Sequence, residues 1–365
     1  MKKNILTSLL LLISLAVSAQ NKKQTITVIT KLGDVHTYVI GESIDRFTII
    51  EGVGIKIYPK GETVSKDFLF SQIAYTITEG VTPPPNPTPN PINNNANRNT
   101  EDDLKKNSEG WRLEFPRFYQ GTNKTYEITH YTTENKLGRL INYSLEWDVK
   151  LKANRWTCYQ MYDIHQGKNA ERKNKFQPDP NIPENEQTSL KDYRGSGFSR
   201  GHLCPSGDRV YSATQNEQTF YLTNMQPQIQ GHNAGIWSKL EERVRKWAGR
   251  CDTLYVVKAA TIDKDEYICN EDDLKEIEIK EGSHKHISFP GIVPKFFYMA
   301  LLAYDKNTST YRALGIWSPH YKGSKPEYIT IKELQERTGI DFFCNLKDDI
   351  EQTVEEQIDD TFWGK

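Results

Sequence analysis

Gly197-Phe198-Ser199-Arg200-Gly201-His202-Leu203-Cys204-Pro205 is followed by Asn224-Met225-Gln226-Pro227-Gln228, and then by Asn233-Ala234-Gly235-Ile236-Trp237-Ser238-Lys239-Leu240-Glu241. Between His202 and Glu241 the chain therefore sets out an imidazole, a guanidinium, a carboxamide and a carboxylate in a fixed order. Two short extended pieces lead into a stretch of helical spacing, in which Ile236, Trp237, Leu240 and Val244 fall on one face of a helix from Asn233 to Trp247.

These side chains are the parts that hydrolysis of a phosphodiester needs. Histidine titrates nearest neutrality and is the natural base for activating water. Arginine offers a planar fork to phosphate oxygens. A hard divalent cation, held by few protein oxygens and several waters, suits the leaving oxygen. Each part has a plainer reading. Arg200-Gly201-His202 alone is most often a surface turn. Asn233 stands where a helix favours asparagine as N-cap, and Glu241 is most simply a solvated helix glutamate. Asn233, Trp237 and Glu241, four residues apart, are expected on roughly one helical face. Lys168, Arg172, Lys173 and Lys175 before the motif, and Lys239, Arg243, Arg245, Lys246 and Arg250 on or after the helix, form two basic clusters suited to a polyanion.

Outward from this stretch the chain divides. Residues 22–80 alternate at period two, as in Thr25–Thr30 and Ile73–Ile77, with glycine turns between, and predict a small all-β module without a catalytic constellation. Residues 82–110 read as a linker, since Pro83 to Pro91 sustains neither helix nor inner strand and an asparagine-rich run follows. Residues 111–365 form one mixed segment. Tyr126–Tyr131, Arg155–Tyr159, Leu254–Val257 and Lys295–Tyr304 are strand-like; Thr330–Arg337 is a short helix closed by Thr338-Gly339, after which Phe342-Phe343 packs inward. The acidic end (Asp348, Asp349, Glu351, Glu355, Glu356, Asp359, Asp360) reads as a solvated helix face, not a metal site. The whole is of α+β class.

The 365 residues exceed one small core, and 36% hydrophobic with 26% charged residues places the chain among ordinary globular proteins. A formal net charge of −1 excludes a global basic field, so attraction for nucleic acid must be local. Residues 1–19 read as an export signal, with Lys2-Lys3, an apolar run and small residues ending at Ala19. No membrane insertion of the mature chain is expected. Export permits disulfides, and Cys251 and Cys269 are the nearest of five cysteines in sequence; pairing is not fixed by sequence. Nor is oligomeric state, with which a homodimer is compatible.

Taken together, the ordered motifs resemble the DNA/RNA non-specific endonuclease family, whose signature is Asp-Arg-Gly-His, Asn-x-x-Pro-Gln and Asn-x-x-x-Trp-x-x-Leu-Glu. The likeness runs over roughly residues 111–350, with further echoes at Tyr193, Asp208-Arg209, Thr219-Phe220-Tyr221 and Pro294-Lys295. It implies a ββα-metal site acting on DNA and RNA with 5′-phosphate products. By that likeness His202 is the general base and Asn233 the protein ligand to Mg2+, with Mn2+ or another divalent ion as substitute. Glu241 orients a metal-bound water, Arg200 lies at the phosphate, and Arg172 and Arg245 bind substrate. Two departures stand out. Ser199 replaces the family's aspartate, and Lys258-Ala259-Ala260 replaces a threonine-glycine, which is expected to alter a loop near the site. A degenerate fold that binds nucleic acid or a surface partner without cutting is the alternative that Ser199 motivates. A hydrolase with Cys204 as nucleophile and His202 as base is a third reading.

Overall fold

The computed structural model describes residues 24–30, 35–50, 54–61, 65–69, 73–79, 95–134, 138–162, 169–281 and 287–364. The proposed export signal and the proline run lie outside the described residues. The chain forms two units, Met1–Asn90 and Pro91–Lys365.

In the first unit, β1 (Gln24–Thr30) pairs with β2 (Val35–Val39) and with the later β6 (Ile73–Glu79), while β3 (Ile44–Ile50), β4 (Gly54–Pro59) and β5 (Lys66–Leu69) form a second three-stranded sheet. Alternation turns Ile26, Val28, Ile55 and Ile57 inward onto Ile44 and Phe68, which makes a small apolar core.

The second unit is built on a seven-stranded antiparallel sheet, in the order β15-β14-β13-β12-β9-β8-β7. Its members are β7 (Thr125–Glu134), β8 (Gly138–Asp148), β9 (Ala153–Met161), β12 (Thr253–Ala260), β13 (Phe296–Asp305), β14 (Thr310–Pro319) and β15 (Glu327–Ile329). The helix Ser238–Ala248 lays Leu240, Val244 and Trp247 onto Leu145, Tyr159, Val256, Met299 and Leu314 of this sheet. Trp237, at its entrance, has no exposed surface. Truncating Trp237 to alanine would remove about 3–5 kcal/mol of packing. The helix Ile331–Thr338 forms between the side chain of Thr330, which accepts the Glu333 N–H, and Gly339, whose φ of 75° needs no Cβ. Phe342 and Phe343 are fully buried beyond it.

Two segments differ from their sequence reading. Residues 95–110, read as linker, carry a helix, Glu101–Lys106, because Thr100 and Asp103 cap it reciprocally. Asparagines then bind this stretch to the second unit: Asn99 donates to the carbonyls of Gly110 and Pro116, and Asn95 to that of Leu346. The acidic end is not simply solvated. Glu351 and Glu355 are buried on the helix Asp348–Glu355, Asn97 donates to Asp341 and Glu351, and burial pushes both glutamates up to about 8. Asp341 is the third carboxyl of this buried group.

Candidate active site

Before the helix Ser238–Ala248 in the chain comes a two-stranded ribbon. β10 (Ser199–His202) pairs antiparallel with β11 (Met225–Gln228), so that His202 faces Met225 and Gly201 faces Gln226. A side chain at 201 is impossible without movement, because a Cβ there would lie 2.1 Å from Gln228 Oε1 and 2.6 Å from Gln228 Cβ. Past His202 the chain is fixed by Asn224. Its Oδ1 accepts the Cys204 N–H at 2.9 Å, and its Nδ2 donates to the carbonyls of Cys204 at 2.8 Å and Thr219 at 2.9 Å. Gln228 contacts His232 Nδ1 at 2.8 Å, and His232 Nε2 reaches Ser318 Oγ of β14 at 2.9 Å, which anchors the ribbon's exit to the sheet.

The helix begins earlier than its sequence suggests. A turn at Gln230–His232 leads into a π-type turn, Asn233–Trp237, where Gly235 (φ −95°, ψ −108°) leaves the helical region. Asn233 has helical angles (φ −59°, ψ −55°) and is not the N-cap, so its carboxamide is not committed to that task. The extra residue of the π-turn rotates Trp237 into the core while Asn233 and Glu241 stay at partly exposed positions, so these three do not share one face. Such single π-turns are frequent at functional sites. Sequence periodicity gives no warning of it beyond Gly235.

His202 is buried at 8% exposure, between Phe220 (ring centroids 4.9 Å apart) and Phe176 (5.7 Å). Its Nε2 makes no hydrogen bond with the described residues. Burial, then the charge of Arg172, pushes its pKa down to about 3, with Arg200 and Lys258 acting in the same direction. The imidazole is therefore neutral at physiological pH, with one nitrogen free to accept a proton. Arg200 lies over the Phe176 ring at 3.9 Å. Arg172 lies over the Phe220 ring at 5.0 Å and donates to Ser206 Oγ at 2.5 Å and Asn174 Oδ1 at 2.7 Å. Both guanidiniums thus flank the aromatic walls of the histidine.

Glu241 faces the same region. Burial pushes its carboxyl up to about 7, against Lys258, Arg245 and Arg172, which favour the charged form, and with Asp208, which opposes it. Arg245, expected at substrate, is instead occupied: its Nη1 donates to Asp208 Oδ1 at 2.8 Å. Asp208 is fully buried and also accepts Tyr159 Oη at 2.7 Å. Of the outer basic residues, Lys175 pairs with Glu217, Arg250 donates to the Phe362 carbonyl and Arg243 to Tyr328; Lys168 lies outside the described residues. Arg172 is the member of those clusters whose charge bears on both His202 and Glu241.

The cysteine readings do not hold. All five thiols are free, with Cys251 hydrogen-bonded to the Trp247 carbonyl and Cys269 to that of Pro294. Cys204 is fully buried and its thiol is pushed up to about 12, the opposite of an activated nucleophile. Lys258 alters no loop: it lies within β12, fully buried.

The model of the DNA/RNA non-specific endonuclease family matches residues 122–349. This chain belongs to that family. Similar relatives include the mitochondrial nuclease EXOG of Xenopus laevis, 30% identical over 224 residues that cover 60% of this chain and 61% of the relative. A nuclease of Nostoc sp. is 26% identical over 244 residues, covering 63% and 81%. The chain thus spans about three-fifths of the length of the EXOG relative. The crystal structure of an EndoG/EndoGI complex aligns over 64% of this chain and 90% of its own, at 19% identity and a TM-score of 0.47. Where the family signature has aspartate, Ser199 donates its hydroxyl to Gln230 Oε1, a neutral pair in place of a charge. No helix among the described residues is long and apolar enough to cross a membrane.

Proposed function

We propose that this protein is an exported, magnesium-dependent endonuclease that hydrolyses phosphodiester bonds of DNA and RNA without strong sequence preference and leaves 5′-phosphates. The observation that carries the reading is the neutral, walled-in His202 with an unoccupied Nε2, flanked by Arg172 and Arg200. His202 Nε2 takes the proton of the attacking water. Arg200 and Arg172 face the phosphate with fixed positive charge. Arg245 acts at one remove, through Asp208.

The donors fit a hard cation. Asn233 offers a carboxamide oxygen free of capping, and Glu241, eight residues on, a carboxylate able to hold a water of the ion's shell. When bound, Mg2+ supplies positive charge for the phosphoryl and leaving oxygens. Mn2+ or another small divalent ion satisfies the same donors. Export rests on residues 1–19, the β-module serves as a spacer or docking element, and the paired Ser199 and Gln230 take the place of the missing aspartate.

The test uses the full chain with plasmid DNA and with RNA, each with Mg2+ or with chelator. Metal-dependent cleavage of both, giving ends that ligase joins without prior phosphorylation, is the expected result. Retention of nucleic acid without cleavage in any divalent metal would instead support the binding-only alternative.

A further inference from the structure

Three carboxyls meet where the helix Asp348–Glu355 passes the loop after Gly339. One oxygen each of Asp341, Glu351 and Glu355 lies within 4.8 Å of the other two. Two oxygens bound to one Ca2+ at about 2.4 Å are at most about 4.8 Å apart, so a single ion spans this spacing. Glu351 and Glu355 are 5% and 9% exposed and stand four residues apart on their helix, where like charges repel. Asp341 is half-buried, which leaves water and an ion a way in.

Side chains do not balance these groups. Arg117, which acts on Asp341, pairs with Asp103 at 2.7 Å, and Lys332, which acts on Glu355, pairs with Glu356 at 2.8 Å. Two oxygens here are also buried without a hydrogen-bond partner among the described residues, Glu355 Oε1 and Asn97 Oδ1. The other oxygen of Glu355 accepts Gln335 Nε2 at 3.1 Å. Asn97 Nδ2 donates to Asp341 Oδ2 at 3.0 Å and to Glu351 Oε1 at 2.9 Å. A half-turn of that amide puts Oδ1 between the same two carboxyls. Buried carboxylates persist when paired or when they coordinate a metal, and a buried acceptor without a donor is costly. One cation answers both.

We propose that Asp341, Glu351, Glu355 and the Asn97 carboxamide form a structural Ca2+ site, which fastens the segment before the helix Glu101–Lys106 to the helix Asp348–Glu355. Asn97 is 244 residues from Asp341 and 254 from Glu351, so the ion closes a long loop of chain. Ca2+ takes about six to eight oxygens in flexible geometry, which three carboxylates, one carboxamide and water at the open side of Asp341 supply. Mg2+ demands a regular octahedron at about 2.0–2.1 Å, a poor match for donors drawn from three separate segments. The site is independent of the nuclease reading, since none of its residues lies on the ribbon or on the helix that carries Glu241.

The test uses the full-length chain carrying Asn233→Ala, so that binding at the nuclease site does not count, freed of metal by chelator. It is titrated with Ca2+ by calorimetry and melted with and without the ion. One Ca2+ should bind with a Kd of about 0.1 mM or tighter, and about 5 mM Ca2+ should raise the melting temperature by about 3 °C or more. Added to that background, Glu351→Gln and Glu355→Gln should each weaken binding at least about tenfold and lose most of the shift. Glu336→Gln, exposed on the helix Ile331–Thr338, should change neither. Asp341→Asn, at a partly exposed position, carries the same expectation as the buried glutamine variants should those not fold. No uptake of Ca2+ in the Asn233→Ala background, undiminished uptake in the folded cluster variants, or a shift from Mg2+ as large as that from Ca2+ overturns the proposal.

Discussion

Asn224 grips Cys204 from both sides, accepting its N–H and donating to its carbonyl. The residue two places before Cys204 is His202, so this amide sets the direction in which the imidazole leaves its strand. Asn224→Ala would leave a buried N–H and two buried carbonyls without partners, a loss of roughly 2–4 kcal/mol. Chemical denaturation should show that loss with an unchanged m-value, and activity should fall even well below the melting temperature.

Gly201 and Gln228 can be tested as a pair. The 2.1 Å approach between a Cβ at 201 and Gln228 Oε1 predicts that Gly201→Ala destabilises by about 1–3 kcal/mol. Gln228→Gly removes the Oε1, Cδ and Cβ that stand in the way, whereas Gln228→Ala would leave the Cβ at 2.6 Å, so the double variant with Gln228→Gly should lose less than the two single losses added together. Strict additivity in a thermal-shift or urea series would mean that the backbone, and not Gln228, resists the change.

The pH behaviour follows from two opposite shifts. His202 is held down near 3, so it stays neutral through the working range and does not set the acid limb. Glu241 is raised to about 7, so kcat/KM should fall as pH drops through about 7, and added Mg2+ should move that limb lower, since a cation favours the carboxylate. Stability shows the reverse sign for the two groups. The raised Glu241 contributes stability that is fully present below about 4.5 and lost as pH rises through about 7; Glu241→Gln should therefore gain on the parent, by of order 2 kcal/mol, between those values. The depressed His202 contributes stability present above about 6.5 and lost as pH falls toward 3, so His202→Gln should suffer less on acidification.

Arg172 and Arg245 should separate cleanly. Arg172 is solvent-exposed, with hydrogen bonds to Ser206 and Asn174 and its guanidinium over the Phe220 ring, so Arg172→Ala should cost no more than about 1 kcal/mol of stability while lowering turnover. Arg245→Ala strips a direct partner from the fully buried Asp208, and should cost roughly 1–3 kcal/mol as well as activity. Equal stability losses in the two variants would contradict the placement.

Much of this was legible in the sequence because it depends on local rules. The strands at Tyr126–Tyr131, Arg155–Tyr159, Leu254–Val257 and Lys295–Tyr304 and the capped helix after Thr330 follow from alternation and cap chemistry, and the structure has β7, β9, β12, β13 and Ile331–Thr338 there. What was not legible depends on tertiary contacts. The π-turn at Asn233 is a wider helical turn, which a 3.6-residue period cannot show. Arg245 read as a substrate-binding arginine because the sequence does not show that Asp208, 37 residues away, is its partner. Lys258 looked like a loop change because only the folded sheet shows a strand lysine directed into the core. The asparagines at 95–99 read as linker because their acceptors lie at Gly110, Pro116 and Leu346.

The most direct test of the central claim is the rate of plasmid cleavage by His202→Ala and Asn233→Ala, each purified as the full chain and assayed beside the parent in Mg2+ and in chelator. The account predicts that the parent cuts only with the metal, that His202→Ala loses at least about a thousandfold with its melting temperature and DNA binding retained, and that Asn233→Ala regains part of its rate at high Mg2+. Parental cleavage rates in either variant, or full parental activity in chelator, would contradict it.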